Sequence, residues 1–391
     1  MNKLTNEGVS ELMKKLTRNI TIKESLPNTT ATGGTSERLP WLDFASGVMI
    51  LWMIVFHALS TAWGYECRNY WGVTDPTMLP DNLHAFINDN GRLVITNPCV
   101  LFPYLHFFMP WFFYKSGQFF KKKSGRELWH KDSRKLLKNF VIWSAIGYIF
   151  FLILGMLDDS LTLRGATYTV IRRLFLRGYI PINQPLWFLL TLFGVRMIAN
   201  WILPQRDDKY TVLRIIGLIL LGYVISYLAY RYNHRLLPYW VANGAAGLSF
   251  FTFGYAMRDW EQKSWIVVPC LMVYVVGCIV GFPIVDMMGN HCLAGNYLLW
   301  IPVAFCCIIF FNALCKWLTV ILRFKLIEWI GRNSMIIYIV HALIFVSIYE
   351  IVIHYFCQMS GQLLLYLILL AYVVILPICC ILYSTIRLKF K

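Results

Sequence analysis

The sequence predicts an all-α, polytopic integral membrane protein with about ten transmembrane helices in a single bundle. Three observations predict it. Of 391 residues, 58% are apolar and only 14% are charged, whereas an ordinary soluble domain carries roughly 25% charged residues. A soluble fold of this size must turn much of its surface to water, and a bilayer supplies the apolar solvent that such a composition needs. The apolar residues gather in ten runs, each near the length that a hydrocarbon core about 30 Å thick asks of a helix. The cations lie mainly between those runs.

Residues 1–37 are polar and lack the apolar segment of a signal peptide. Within them ESLPNTTATGGTSE, residues 24–37, reads as a flexible cytoplasmic lead, and 38–391 as the membrane domain. The ten runs span about 41–62, 98–114, 139–157, 185–203, 212–230, 237–257, 264–284, 297–315, 327–349 and 363–386. Backbone groups in lipid must be satisfied within the segment, so the runs are helices. The alternating ten-residue segments of a barrel are missing. No internal repeat, heptad run or low-complexity block divides the domain.

Charge orients the bundle. Lys14, Lys15, Arg18, Lys23 and Arg38 precede the first run, residues 121–138 hold eight Lys or Arg against Glu127 and Asp132, and the tail ends RLKFK. With ten spans all three fall on one side, the cytoplasmic side of a bacterial inner membrane, with both termini there. The loop 63–97 falls opposite and leans acidic, with Glu66, Asp75, Asp81 and Asp89 against Arg68 and Arg92. This distribution also argues against nucleic acid as the reason for the formal charge of +16, since no basic face is assembled for phosphates. One stretch breaks the rule: 158–184 should be outside, yet it holds Arg164, Arg172, Arg173 and Arg177. It is a functional basic patch, or it folds back on the membrane, or the helix count is off by a pair. The first reading has Arg172, Arg173 and Arg177 at the mouth of a chamber, or on an anionic lipid-linked substrate.

Ionisable groups within membrane helices are expensive, and each is a functional candidate. His57 stands about 24 Å along its helix from Trp41, and His341 about 21 Å from Ile327, at 1.5 Å per residue. His106 lies at a similar level in the second run, which descends from the outside. Three histidines at one level suggest a shared polar chamber, where imidazole serves as a general base; helix packing is the plainer alternative for each. The spacing H-x-x-x-H, the H-E-x-x-H motif and zinc-type Cys–His patterns are absent, so no metal is expected. G-x-S-x-G is absent too. Asp43 suits the positive end of its helix dipole. The 121–138 stretch either anchors the bundle or receives the phosphates of a nucleotide-bearing donor. Trp187 and Phe188 read most simply as an interfacial anchor. Of eleven cysteines, Cys67, Cys99, Cys292 and Cys357 fall outside the membrane, where a disulfide is open to them; the others lie in or beside apolar runs.

Four stretches, in order, are WLDFASGVMILWMIVFHA, FFYKSGQFF with the basic segment after it, PLWFLLTLF at 185–193, and GRNSMIIYIVHAL at 331–343. In these the chain resembles the acyltransferase-3 family of membrane acyltransferases, over about residues 38–386. The resemblance implies about ten helices, an acyl donor of the acyl-CoA class (commonly acetyl-CoA) on the cytoplasmic side, and O-acylation of a cell-envelope polysaccharide or lipid-linked glycan. It makes His57 the leading catalytic residue, with His341 or His106 positioning it or the acceptor. It assigns the donor-side basic residue to Arg134, with Lys131, Lys135 and Lys138 around it. Trp187 joins the arginines as an acceptor-side contact, and backbone amides, Asn333 or a basic residue would face the oxyanion. The chain departs from the family at one place. A basic residue is usual eleven positions before the first histidine, and here the phrase is DFASG, with Ser46 in that position. Arg38, eight residues earlier and about 12 Å along a helix, is the substitute the sequence offers. Two other readings stand beside this one: a transporter or flippase for a polar metabolite or lipid-linked sugar, and a degenerate membrane scaffold or sensor. Broken helices, for which VGFPIVDMMGNH is a candidate, and inverted repeats would favour the transporter.

Overall fold

Each of the ten apolar runs carries helix. The structure is a computed structural model and describes residues 39–71, 102–157, 163–203, 210–232, 237–258, 263–288, 291–355 and 360–389. The lead 1–37, Arg38, Cys99, Cys357 and most of the loop 63–97 lie outside the described residues. Helix α1 is Pro40–Trp71 and α2 is Phe108–Gln118, entered through a 3₁₀ turn at Phe102–Leu105. Next come α3 (Gly125–Asp132), a π-helical turn (Ser133–Leu137) and α4 (Lys138–Leu157). Then follow α5 (Leu163–Arg177), a 3₁₀ turn (Gln184–Leu186), α6 (Trp187–Ile202), α7 (Thr211–Arg231), α8 (Tyr239–Met257) and α9 (Ser264–Val280). A hairpin of β1 (Ile284–Asp286) and β2 (His291–Ala294) sets Val285 opposite Cys292 in antiparallel register. The chain closes with α10 (Tyr297–Ile321), α11 (Lys325–Arg332), α12 (Ser334–Tyr355) and α13 (Gly361–Lys389).

Seven helical stretches among the described residues are long and apolar enough to cross a membrane; they lie in α1, α3–α4, α6, α7, α10, α12 and α13. The other three expected spans are lesser helices. α9 is apolar but 17 residues long, α2 has 11 residues, and α8 has 19. α8 has a reason to be less apolar: buried Ala242, Asn243, Ala245, Gly247, Ser249 and Thr252 all meet protein. A helix wrapped by other helices gains from small residues that permit close approach. α8 packs on α2, α6 and α7, while α1 is surrounded by α10, α11, α12 and α13.

Three crossings bring backbones into direct contact, one of them α7 on α8, where a methyl at Gly222 would overlap the Ala245 carbonyl oxygen. A methyl group at Gly331 would overlap the Asp43 carbonyl oxygen, and one at Gly47 would overlap that of Ile327. At the α2–α8 crossing a methyl at Gly117 would overlap the Phe251 carbonyl, and one at Gly254 that of Tyr114. Three of the sequence motifs, DFASG, SG and GRNS, thus hold the glycines through which α1, α2, α8 and α11 touch.

The run expected as a single helix over 327–349 is two helices. α11 ends at Arg332, and Asn333 donates its side-chain amide to the Trp329 carbonyl at 2.9 Å, closing that end. The anomalous arginines lie on α5, a 15-residue helix. Leu163, Ile171, Phe175, Arg164 and Arg172 are exposed on it. Such a mixture of exposed apolar and cationic side chains belongs to an interfacial helix rather than a span. α5 is pinned by Trp240 Nε1 donating to Phe175 O at 2.9 Å and by the Arg177 guanidinium 3.6 Å from the Tyr239 ring centroid. Trp187 and Phe188 are no interfacial anchor. Trp187 is 3% exposed, and both rings pack on Phe113 within the core.

Candidate active site

α1 and α12 pack together and bring two imidazoles into contact. The His57 and His341 ring centroids are 5.4 Å apart, with planes tilted by 34°, inside the range of direct ring contact. Phe345, one turn beyond His341, stacks on His57 at 5.4 Å with 10° between planes. His341 is fully buried and His57 half-buried. The Nδ1 of His341 lies 2.6 Å from the Tyr338 carbonyl oxygen. A carbonyl only accepts, so Nδ1 carries the hydrogen and Nε2 of the neutral ring keeps its lone pair. That Nε2 is buried and meets no hydrogen-bond partner among the described residues. Tyr338 in turn donates its hydroxyl to the Pro185 carbonyl at 2.5 Å and meets the Phe188 ring at 5.4 Å. The PLWF stretch therefore braces the helix that carries His341.

A cavity of about 460 Å³ opens next to this pair. Its α1 wall is Ser60, Thr61 and Gly64, three, four and seven residues beyond His57 and so on the same helix face. Phe345, Val346 and Tyr349 form its α12 wall. Phe345 both borders the cavity and stacks on His57, so its ring is the partition between them. Glu350 adds a charged group to the α12 wall, and Gln184 and Arg173 bring polar and charged groups to the remaining one.

The basic stretch 121–138 is held by α2 and α6. Asp132 is buried and accepts from Arg196 Nε at 2.6 Å; Arg196 also donates to Ser116 Oγ at 3.1 Å. Lys122 donates to the Leu203 carbonyl at 2.6 Å, and Lys123 pairs with Glu127. These contacts fasten the stretch to α2 and α6. Lys131, Arg134 and Lys135 stay exposed, the last two on the π-helical turn, a deformation frequent at functional sites. Lys115 of α2 reaches Ser46 on α1, donating to its Oγ at 2.6 Å.

A family profile described as an acyltransferase domain matches residues 39–384. The chain belongs to the acyltransferase-3 family. It is an integral membrane acyltransferase. No curated protein and no solved structure matches it.

The acyltransferase brings together some of the residues singled out from its sequence and separates others. His57 and His341 meet, and Arg173 lines the cavity beside them. His106 does not join them. Its ring packs on Phe107 and Phe282, neither of which lines the cavity, and its Nδ1 lies 2.6 Å from the Pro103 carbonyl. The three-histidine chamber is thus a two-histidine contact with His106 elsewhere. Arg172 is exposed and Arg177 is stacked on Tyr239. Asn333 spends its amide on Trp329, eight residues before His341. Cys292 is a free thiol donating to the Ala294 carbonyl. Four further residues were not singled out: Lys115, Glu350, Phe345 and Asn183. The last is fully buried, with both side-chain polar atoms lacking a hydrogen-bond partner among the described residues. A loop asparagine carries no signal of this in sequence.

Proposed function

We propose that this acyltransferase transfers an acetyl group from cytoplasmic acetyl-CoA to a hydroxyl of a cell-envelope polysaccharide or lipid-linked glycan. In this reading all ten apolar runs cross a bacterial inner membrane and both termini are cytoplasmic, with Lys131, Arg134, Lys135 and Arg38 on the donor side. The contact between His57 and His341 beside the cavity carries the reading. The acceptor enters from the cavity as the Phe345 ring moves aside, and its hydroxyl gives its proton to His57 and forms a new C–O bond to the acyl carbonyl carbon. The thioester C–S bond then breaks as the tetrahedral intermediate collapses, and the departing thiolate takes that proton from His57. His341, with Nδ1–H held by Tyr338, lays its ring against His57 and so orients the base through that ring contact. Arg173 faces an anionic group of the acceptor.

The test is transfer of labelled acetate from acetyl-CoA to envelope glycan by the purified protein in vesicles. His57→Ala should lower turnover on the order of 10²-fold or more, the contribution of a positioned general base, with insertion unchanged. His57→Gln should not rescue it, since an amide keeps polarity but accepts no proton at neutral pH. Wild-type turnover by His57→Gln would remove His57 from the chemistry.

A further inference from the structure

We infer that Lys115 is the cation that binds the phosphate-bearing head of the acyl donor, in the place where position 46 supplies only a hydroxyl. The inference rests on the donor reading above. Lys115 lies near the end of α2 and is half-buried, with its ammonium on the fully buried Ser46 at 2.6 Å and 5.4 Å from the centroid of the Trp111 ring. Ser46 is no counter-charge: its hydroxyl donates onward to the Leu42 carbonyl at 2.6 Å. Two charged groups act on Lys115, Asp43 attracting it and Lys135 repelling it. One carboxylate among two lysines leaves a net positive charge at the membrane's basic end. A cation removed from water is costly unless it is paired, and the repulsion from Lys135 adds to that cost at Lys115. A phosphate at Lys115 offsets it.

Distance gives the ligand its shape. Ser46 precedes His57 by eleven residues on the continuous helix α1, about 16 Å along its axis at 1.5 Å per residue. A donor anchored by its charge at Lys115 must therefore reach the histidines through an extended uncharged arm. A coenzyme A thioester is built that way, with phosphates at one end, the pantetheine arm between, and the thioester at the tip. The same reasoning assigns Lys135 to the outer phosphates, since it lies exposed on the π-helical turn.

The experiment is calorimetric titration of the purified full chain with CoA and, separately, with pantetheine, which has the arm but no phosphate. Lys115→Gln keeps a hydrogen-bond donor for Ser46 and deletes the charge, while Lys115→Arg keeps the charge. Lys115→Gln should weaken CoA binding about tenfold or more, the usual size of a charge-assisted contact. Its pantetheine affinity should not change, and Lys115→Arg should bind CoA nearly as wild type does. A purely structural lysine would instead lower the thermal stability of Lys115→Gln and leave the CoA affinity of the folded protein intact, which overturns the assignment. Equal losses for CoA and pantetheine overturn it as well. Wild-type protein that binds no CoA overturns the donor reading itself, and this inference with it.

Discussion

Arg173 gives the cavity beside the histidines its charge, and Glu350 shares that cavity. An arginine in a partly enclosed site forms paired hydrogen bonds with carboxylate or phosphate, so in the proposed reaction it would select among acceptors rather than take part in proton transfer. Arg173→Gln should raise the acceptor KM about tenfold or more with kcat little changed, read from initial rates over acceptor concentration. Arg172→Gln, on a neighbour that does not line the cavity, is the comparison and should leave KM alone. An unaltered KM in Arg173→Gln would mean the acceptor carries no anion at this point. The histidines were legible because an ionisable side chain stands out in an apolar run. Lys115 and Glu350 obey the same rule and went unread for a physical reason. Hydropathy falls gradually at a helix end, and boundaries drawn at 114 and 349 left each charge one residue outside its span. The separation of His106 was unreadable too, because depth along a helix says nothing of the direction in which a side chain points.

Helix contact, by comparison, depends on single atoms. Gly331 lets α11 lie directly on the Asp43 carbonyl of α1, and Gly217 on α7 has open space where its side chain would be. Gly331→Ala should therefore cost about 1–3 kcal/mol or more, as forced overpacking does. Gly217→Ala should be neutral or slightly stabilising, as expected of a helix interior. Thermal unfolding of both variants in one detergent makes the check, and equal melting temperatures would refute the close crossing. The apolar runs themselves were plain in the sequence because lipid demands them. The break between α11 and α12 was not, since IEWIGRNSMII reads as continuous until Asn333 is seen capping Trp329. α8 looked like another lipid-facing span, although its small residues are packed by neighbouring helices.

For the whole molecule, the Lys115–Ser46 contact and the cavity lie toward opposite ends of α1, with His57 between them. If donor and acceptor approach from those two ends, cysteines introduced at positions 121–135 must react with reagents from the cytoplasmic side only; labelling from outside would invert the arrangement. Substrates that approach from two sides bring water with them, and a bilayer tolerates that only while something closes the middle. Phe345 is the ring in that position, between the cavity and His57. Its consequence concerns waste in the idle enzyme. With no acceptor present, a loaded thioester beside a basic imidazole is exposed to any water that enters, and each entry discards one acyl group. Phe345→Ala should then release free CoA thiol from acetyl-CoA several-fold faster without acceptor, while Phe345→Leu, which keeps most of the bulk, should leak little. A resting hydrolysis rate that ignores the size of residue 345 would mean that the seal lies elsewhere. If the rate follows that size, one phenyl ring decides how tightly donor consumption is coupled to acceptor modification.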